Sequence, residues 1–289
     1  MTPEVLQSML EASKHFVPII DLHKAGGRKI ADFLQVEACC ITCGAAAGLA
    51  ISSAAALTRG DLAKVLQLPD TTRMPNEGLV LKAHRILYDQ AVRLSGACLK
   101  EIGVTSYADI HQIEAAITPQ VAFFLYVSEA EHMRGSVSLE EIVPIMKKYN
   151  ITIIVDAAAE IPPKSNIHKY LDMGADMVVF SGGKELRGPQ STGLILGSKY
   201  WIEACNENCC PNHGIGRSMK IDKESIAGIV KAVEIFAKKD YDIQMGLWEQ
   251  MIDTIVERLK EAPNTLVRKG FPMETGVQPA CLRRAFIKP

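Results

Sequence analysis

The sequence predicts an α/β protein: a mostly parallel seven-stranded sheet with helices on both faces, joined to a smaller, incomplete α+β domain. Three observations carry this expectation. Short apolar runs alternate with longer stretches of helical period, as crossover connections require. Runs such as ITIIVD and VAFFLYV are apolar at every position, as strands are when helices cover both faces of their sheet. Finally, 289 residues, 48% of them hydrophobic, suffice for one large core and a smaller neighbour.

The first segment, MTPEVLQSMLEASKHF, reads as an amphipathic helix with acids among its apolar residues. It has neither the basic start nor the apolar run of a signal peptide, and no stretch approaches a membrane span. Strands are predicted at 38–42, 64–68, 78–81, 97–102, 121–126, 151–156, 177–180 and 192–196, with helices near 44–57, 83–95, 106–115, 138–149, 165–172 and 198–207. The linker CNENCCPNHGIG follows, then a long helical period from about 225 to 259, then mixed turns and the basic end CLRRAFIKP. Residues 20–215 are expected to form the large domain. Residues 1–19 and 216–289 are expected to belong to the smaller one.

A net charge of −1 and the absence of a basic stripe speak against nucleic acid and for a small metabolite as partner. The eight cysteines include two adjacent pairs and no spaced disulfide framework, which fits reduced thiols in the cytoplasm. Cys205, Cys209, Cys210 and His213 lack the C-x2-C pairing of structural zinc sites and read as thiols without a metal.

Residues 151–197 say most about chemistry. The apolar strand ITIIVD ends on Asp156, and the next apolar strand runs into SGGK, ending on Lys184. Ligands in open α/β sheets gather at the carboxyl ends of strands, so both side chains are expected in one crevice. A lysine that loses solvation there is freed for Schiff-base chemistry, and a facing carboxylate keeps a pyridine nitrogen protonated. Taken singly, each has a plainer reading: the aspartate caps a helix and the lysine is solvated. Upstream, ITCGAAAGL takes a strand through a small-residue turn into a helix. Thr42, Cys43, Gly44, Ala45 and Ala46 would there cradle an anion, though tight strand–helix packing asks for the same small residues.

VDAAAEIPP, DMGADMVVFSGGKELRGPQSTGLILG, TCGAAAGL and GRSMKIDKESIAG together resemble the selenocysteine-synthase-like branch of fold-type I pyridoxal-phosphate (PLP) enzymes. Within it they are most similar to the D-glucosaminate-6-phosphate ammonia-lyase group, over about residues 1–235. The resemblance implies PLP as cofactor, Lys184 as its lysine and acid–base group, and Asp156 as the pyridinium partner. It further implies Ala158 beneath the ring, and Ser181 with the 43–46 turn at the phosphate. Cys43 stands where many relatives carry serine, a better donor than a thiol. From LKAHRILYD, His84 would stack on the ring or touch substrate, and Arg85 would bind an anion; a helix-start histidine and a surface arginine are the alternatives. Arg187, Gln190 and Arg217 fall near the family's anion-binding positions, where a guanidinium fork suits a phosphate or carboxylate.

The implied activity is removal of water and ammonia from a phosphorylated 2-amino-3-hydroxy sugar acid. The alternatives are selenium transfer on seryl-tRNA, another fold-type I reaction, or a truncated, non-catalytic relative, since the chain is short at both ends relative to the family. A homodimer or higher homo-oligomer is implied because such sites are shared between subunits.

Overall fold

A computed structural model describes residues 1–263, 266–270 and 284–288. Cys281 and most of the expected turns and basic end beyond residue 263 lie outside the described residues. The chain starts with helices α1 (Pro3–Ser13) and α2 (Ile19–Leu34), then strand β1 (Ala38–Thr42) and helices α3 (Ala45–Thr58) and α4 (Leu62–Gln67). Next come β2 (Glu77–Leu81), the short α5 (Gln90–Arg93), β3 (Cys98–Ile102), α6 (Ile110–Ala115) and β4 (Val121–Val127). Then α7 (Leu139–Lys148), β5 (Thr152–Asp156), α8 (Asn166–Met173), β6 (Met177–Ser181), β7 (Gly193–Gly197) and α9 (Lys199–Asn208) complete the sheet region. Helices α10 (Lys223–Lys238) and α11 (Tyr241–Leu259) follow, with an antiparallel pair, β8 (Leu266–Gly270) and β9 (Arg284–Lys288).

The seven-stranded sheet has the order β1-β7-β6-β5-β4-β2-β3. Strand β7 runs antiparallel to both its neighbours, and every other pairing is parallel. The unbroken apolar runs have the expected cause: successive side chains feed two separate cores. Along β4, Phe124 and Tyr126 enter one core while Phe123, Leu125 and Val127 enter the other. Ile153 and Val155 of β5 point to the first face, and Ile154 to the second.

Four elements differ from expectation, each for a local reason. Residues 64–68 are not a strand: Asp61 accepts hydrogen bonds from the N–H groups of Ala63 and Lys64 and starts helix α4 instead. Residues 83–95 form two 3₁₀ turns and the one-turn α5, not one helix. The long helical period breaks at Lys239, whose backbone is extended, and Asp240 caps a second helix through the N–H groups of Asp242 and Ile243. Helix α2 forms where no element is predicted, because its Gly26–Gly27 pair obscures the helical signal. The pair serves close packing: a Cβ on Gly27 would lie 2.3 Å from the carbonyl oxygen of Cys39 in β1. Among the described residues no helix is long and apolar enough to cross a membrane.

Candidate active site

A cleft with about 660 Å³ of empty space, partly open to solvent, lies where β4, β5 and β6 end. Its floor and one wall come from Asp156, Ala158, Ala159 and Glu160, which follow β5, and from Ser181 and Lys184 at the end of β6. Val127, Ser128 and Glu129 close the β4 side, Ala45, Ala46 and Leu49 of α3 cover the top, and Ile86 and Tyr88 complete the rim. Strand ends three abreast give this convergence, since parallel neighbours bring their carboxyl ends to one edge.

Asp156 is 7% exposed. One carboxyl oxygen accepts the N–H of Ala158 at 3.1 Å, and the other has no hydrogen-bond partner among the described residues. Burial raises its pKa to about 6, against the lowering pull of the Ala158 bond and the Lys184 charge. The hydroxyl of Ser128 donates to the backbone carbonyl of Asp156 at 2.7 Å and ties β4 to β5 at the site. Lys184 lines the cleft but is exposed at its mouth, so it is not desolvated as the sequence leads one to expect. SGGK ends in a turn outside the strand, where the amine reaches water.

Gly44 has φ of +101° and nothing within 4 Å of a Cβ position, a backbone that L side chains rarely adopt. The first intrahelical bond of α3 runs from Gly48 N–H to Gly44 oxygen at 3.0 Å, which leaves earlier N–H groups facing the cleft end. Thr42 is buried and its hydroxyl donates to Gly44 oxygen at 2.9 Å, so it braces the turn and does not face the cleft. Cys43 is half-buried, and burial raises its pKa, which keeps it a thiol.

The other sequence candidates stand apart from the cleft walls. His84 is fully buried; its Nδ1 accepts the Val127 N–H at 3.2 Å and its Nε2 lies 2.8 Å from the Ser136 hydroxyl. It packs edge-on against Tyr126, with centroids 4.7 Å apart, and is not among the residues that line the cleft. Arg85 is held by Asp89 at 2.5 Å and by Glu101, which occupies the fork that an anion would need. Arg187 is exposed beside Glu185 at 3.7 Å. Gln190 is exposed, packed against Gly183, and Arg217 is exposed with its guanidinium 3.3 Å from the sulfur of Cys210. The cleft brings in residues the motifs do not single out: Tyr88, Ser128, Glu129 and Glu160. Ser128 and Glu129 follow an apolar strand just as Asp156 ends one, so the strand-end rule reaches them too.

A family model described as L-seryl-tRNA selenium transferase matches residues 83–273, more than half of the chain. The chain belongs to this family. It is 38% identical over 240 residues to D-glucosaminate-6-phosphate ammonia lyase of Salmonella typhimurium, covering 81% of this chain and 63% of that protein. It is 31% identical over 271 residues to a 5'-C-glycyluridine monooxygenase-decarboxylase of a Streptomyces species, covering 91% and 66%. A solved structure of D-glucosaminate-6-phosphate ammonia-lyase superposes with a TM-score of 0.81 and 31% identity, over 100% of this chain and 75% of that one. The chain thus spans about two thirds of the length of these curated relatives.

Selenium transferase family proteins depend on pyridoxal phosphate, and three features of this structure fit that group. The unpartnered oxygen of buried Asp156 suits a ring N–H, the Gly44 turn leaves open space at a helix N-terminus for a phosphate, and Lys184 reaches the same cleft.

Proposed function

We propose that this chain is a PLP-dependent lyase acting on a phosphorylated 2-amino-3-hydroxy sugar acid of the D-glucosaminate 6-phosphate type. Its products are ammonia and a 2-keto-3-deoxy acid; the water lost in elimination is taken up again when ammonia leaves. The observation that carries this reading is the meeting of Asp156 and Lys184 at adjacent strand ends in one cleft. The 38% identity to a lyase of that substrate supports the choice of reaction.

Bound in the cleft, PLP supplies an electron sink for the pair released at the substrate's α carbon. In this reading Asp156 holds the proton on the ring nitrogen, because its second carboxyl oxygen, without a partner among the described residues, stabilises the positive ring. Lys184, exposed at the mouth, takes the α-proton and is placed to return it. Among the residues that line the cleft, Ala45 and Ala46 at the α3 N-terminus and Ser181 would hold the phosphate arm, Ala158 would pack against the ring, and Leu49 and Ile86 would keep water from one side. Lys184 is the cation among the described residues that line the cleft, and the expected homo-oligomer belongs to the same reading. A cytoplasmic setting belongs to the same reading.

The test is ammonia release from D-glucosaminate 6-phosphate by the PLP-loaded protein, alongside Lys184→Ala. Release by wild type and none by the variant supports the proposal. No release from protein shown to hold PLP on Lys184 sinks the substrate assignment. The family model's own activity favours a second reading, selenium transfer on seryl-tRNA. A net charge of −1 argues against it, and a gel shift with that tRNA decides.

A further inference from the structure

Strand β4 runs into a short turn, Ser128–Ala130, at the edge of the cleft. Ser128 and Ala130 are buried, while Glu129 between them is half-buried and lines the cleft. The turn is held from both sides. Val127 before it donates its N–H to His84 at 3.2 Å, and the Ser128 hydroxyl donates to the Asp156 carbonyl at 2.7 Å. The Glu131 N–H donates to the Ser128 carbonyl at 3.0 Å. A side chain on a backbone so fixed has a defined reach into the site.

The neighbouring acids are already engaged. Glu131 pairs with Lys169 at 2.8 Å, Asp156 accepts the Ala158 N–H at 3.1 Å, and Glu160 has Oε2 3.4 Å from the Tyr170 hydroxyl. Glu129 makes neither a hydrogen bond nor an ion pair among the described residues. Lys184, the cation that lines the cleft, follows β6, two strands away. Burial is the main cause of the raised pKa of Asp156 and the Glu129 charge adds to it, so this carboxylate lies near the cleft floor. Its oxygens are therefore free to meet what enters from solvent.

A substrate of the proposed type offers an amine, hydroxyls, a carboxylate and a phosphate. The amine is consumed beside Lys184, on the β6 side. The two anions are repelled by a carboxylate. Hydroxyls on the carbons beyond the amine remain, and each can donate a charge-assisted hydrogen bond to it. Strand β4 lies two strand spacings, about 10 Å, from β6, a distance that a glutamate side chain and a sugar-acid chain bridge together. We propose that Glu129 is a specificity-determining residue that accepts hydrogen bonds from the chain hydroxyls of the substrate. It selects a hydroxylated chain over a plain aliphatic one and turns the anionic groups away from the β4 wall. The role needs only lone pairs on the carboxyl oxygens.

This inference rests on the PLP lyase reading, and the experiment keeps the two apart. Borohydride fixation of PLP on the full wild-type chain is established first. Binding of two unreactive probes to the PLP-loaded protein is then measured by calorimetry. One is D-gluconate 6-phosphate, with a hydroxyl in place of the amine. The other is 6-phosphooxyhexanoate, with the same two anions and no chain hydroxyls. Wild type is expected to bind the hydroxylated probe at least about tenfold more tightly, the scale of a hydrogen bond to a charged acceptor. Glu129→Ala is expected to weaken that probe alone, by about tenfold, and Glu129→Gln, which keeps an acceptor oxygen without the charge, to fall between. Thermal unfolding of both variants should match wild type, since the side chain holds no partner in the fold. A preference unchanged in Glu129→Ala, an equal weakening of both probes, or a wild type that binds both alike overturns the Glu129 assignment and leaves the lyase reading standing. A wild type with no fixed cofactor, or one that holds PLP and binds neither probe, removes the lyase reading and this inference with it.

Discussion

Val127 donates its backbone N–H to Nδ1 of His84 at 3.2 Å, and this bond places the ring's proton on Nε2, which donates to the Ser136 hydroxyl at 2.8 Å. Protonating Nδ1 would break the first bond and charge a fully buried ring. Burial accordingly lowers the His84 pKa from 6.5 to about 4. A histidine depressed in the folded state adds stability above pH 6.5 and loses it as pH falls through about 4. Chemical denaturation between these limits should show a loss of about 3 kcal/mol from this group. His84→Ala should flatten that slope and cost about 2–4 kcal/mol at neutral pH, by leaving the Val127 N–H unpaired. An unchanged slope in the variant would assign it to other groups.

Asp156 works in the opposite direction. Its raised pKa means that the cofactor-free protein is favoured below pH 3.8 and loses stability as pH rises through about 6. Asp156→Asn keeps an acceptor for the Ala158 N–H and removes the buried charge. The variant should therefore be more stable than wild type without cofactor at pH 7, by up to about 3 kcal/mol. It should also hold PLP more weakly. A destabilised Asp156→Asn would mean that the carboxylate is better compensated than its single backbone partner indicates.

Gly44 tests the phosphate turn. Its φ of +101° lies in open space, so Gly44→Ala meets no clash and pays only for backbone strain. Thermal unfolding should register about 1–3 kcal/mol of destabilisation, and PLP titration a weaker complex. Full retention of both would show that the turn tolerates another conformation.

Arg85 provides the negative control. Held between Asp89 and Glu101, it is not available to an incoming anion. Arg85→Ala should change kcat/KM for the phosphorylated substrate by less than about threefold while lowering stability by about 1 kcal/mol. A KM increase of tenfold or more would return Arg85 to the substrate site.

These outcomes follow how legible the site is in the sequence. Asp156, Ala158, Ser181, Lys184 and the Ala45–Ala46 turn all reach the cleft, because each follows directly from the end of an apolar strand. The misread segments have weak local signals: 64–68 is short enough to suit either period, and Gly26–Gly27 masks α2. Its glycines are explained by β1 packing against them, a contact that helical periodicity does not encode.

The sequence by itself determined the sheet and the pairing of a carboxylate with a lysine at its edge, since strand length, face and end are properties of contiguous residues. Only the tertiary structure decided which polar groups are free. Arg85 is quenched by Glu101 and His84 by Val127 and Ser136, while Glu160 is left with a buried oxygen and no partner. The reason is physical: burial and pairing depend on groups brought together from distant strands, and they set whether a side chain can meet a ligand.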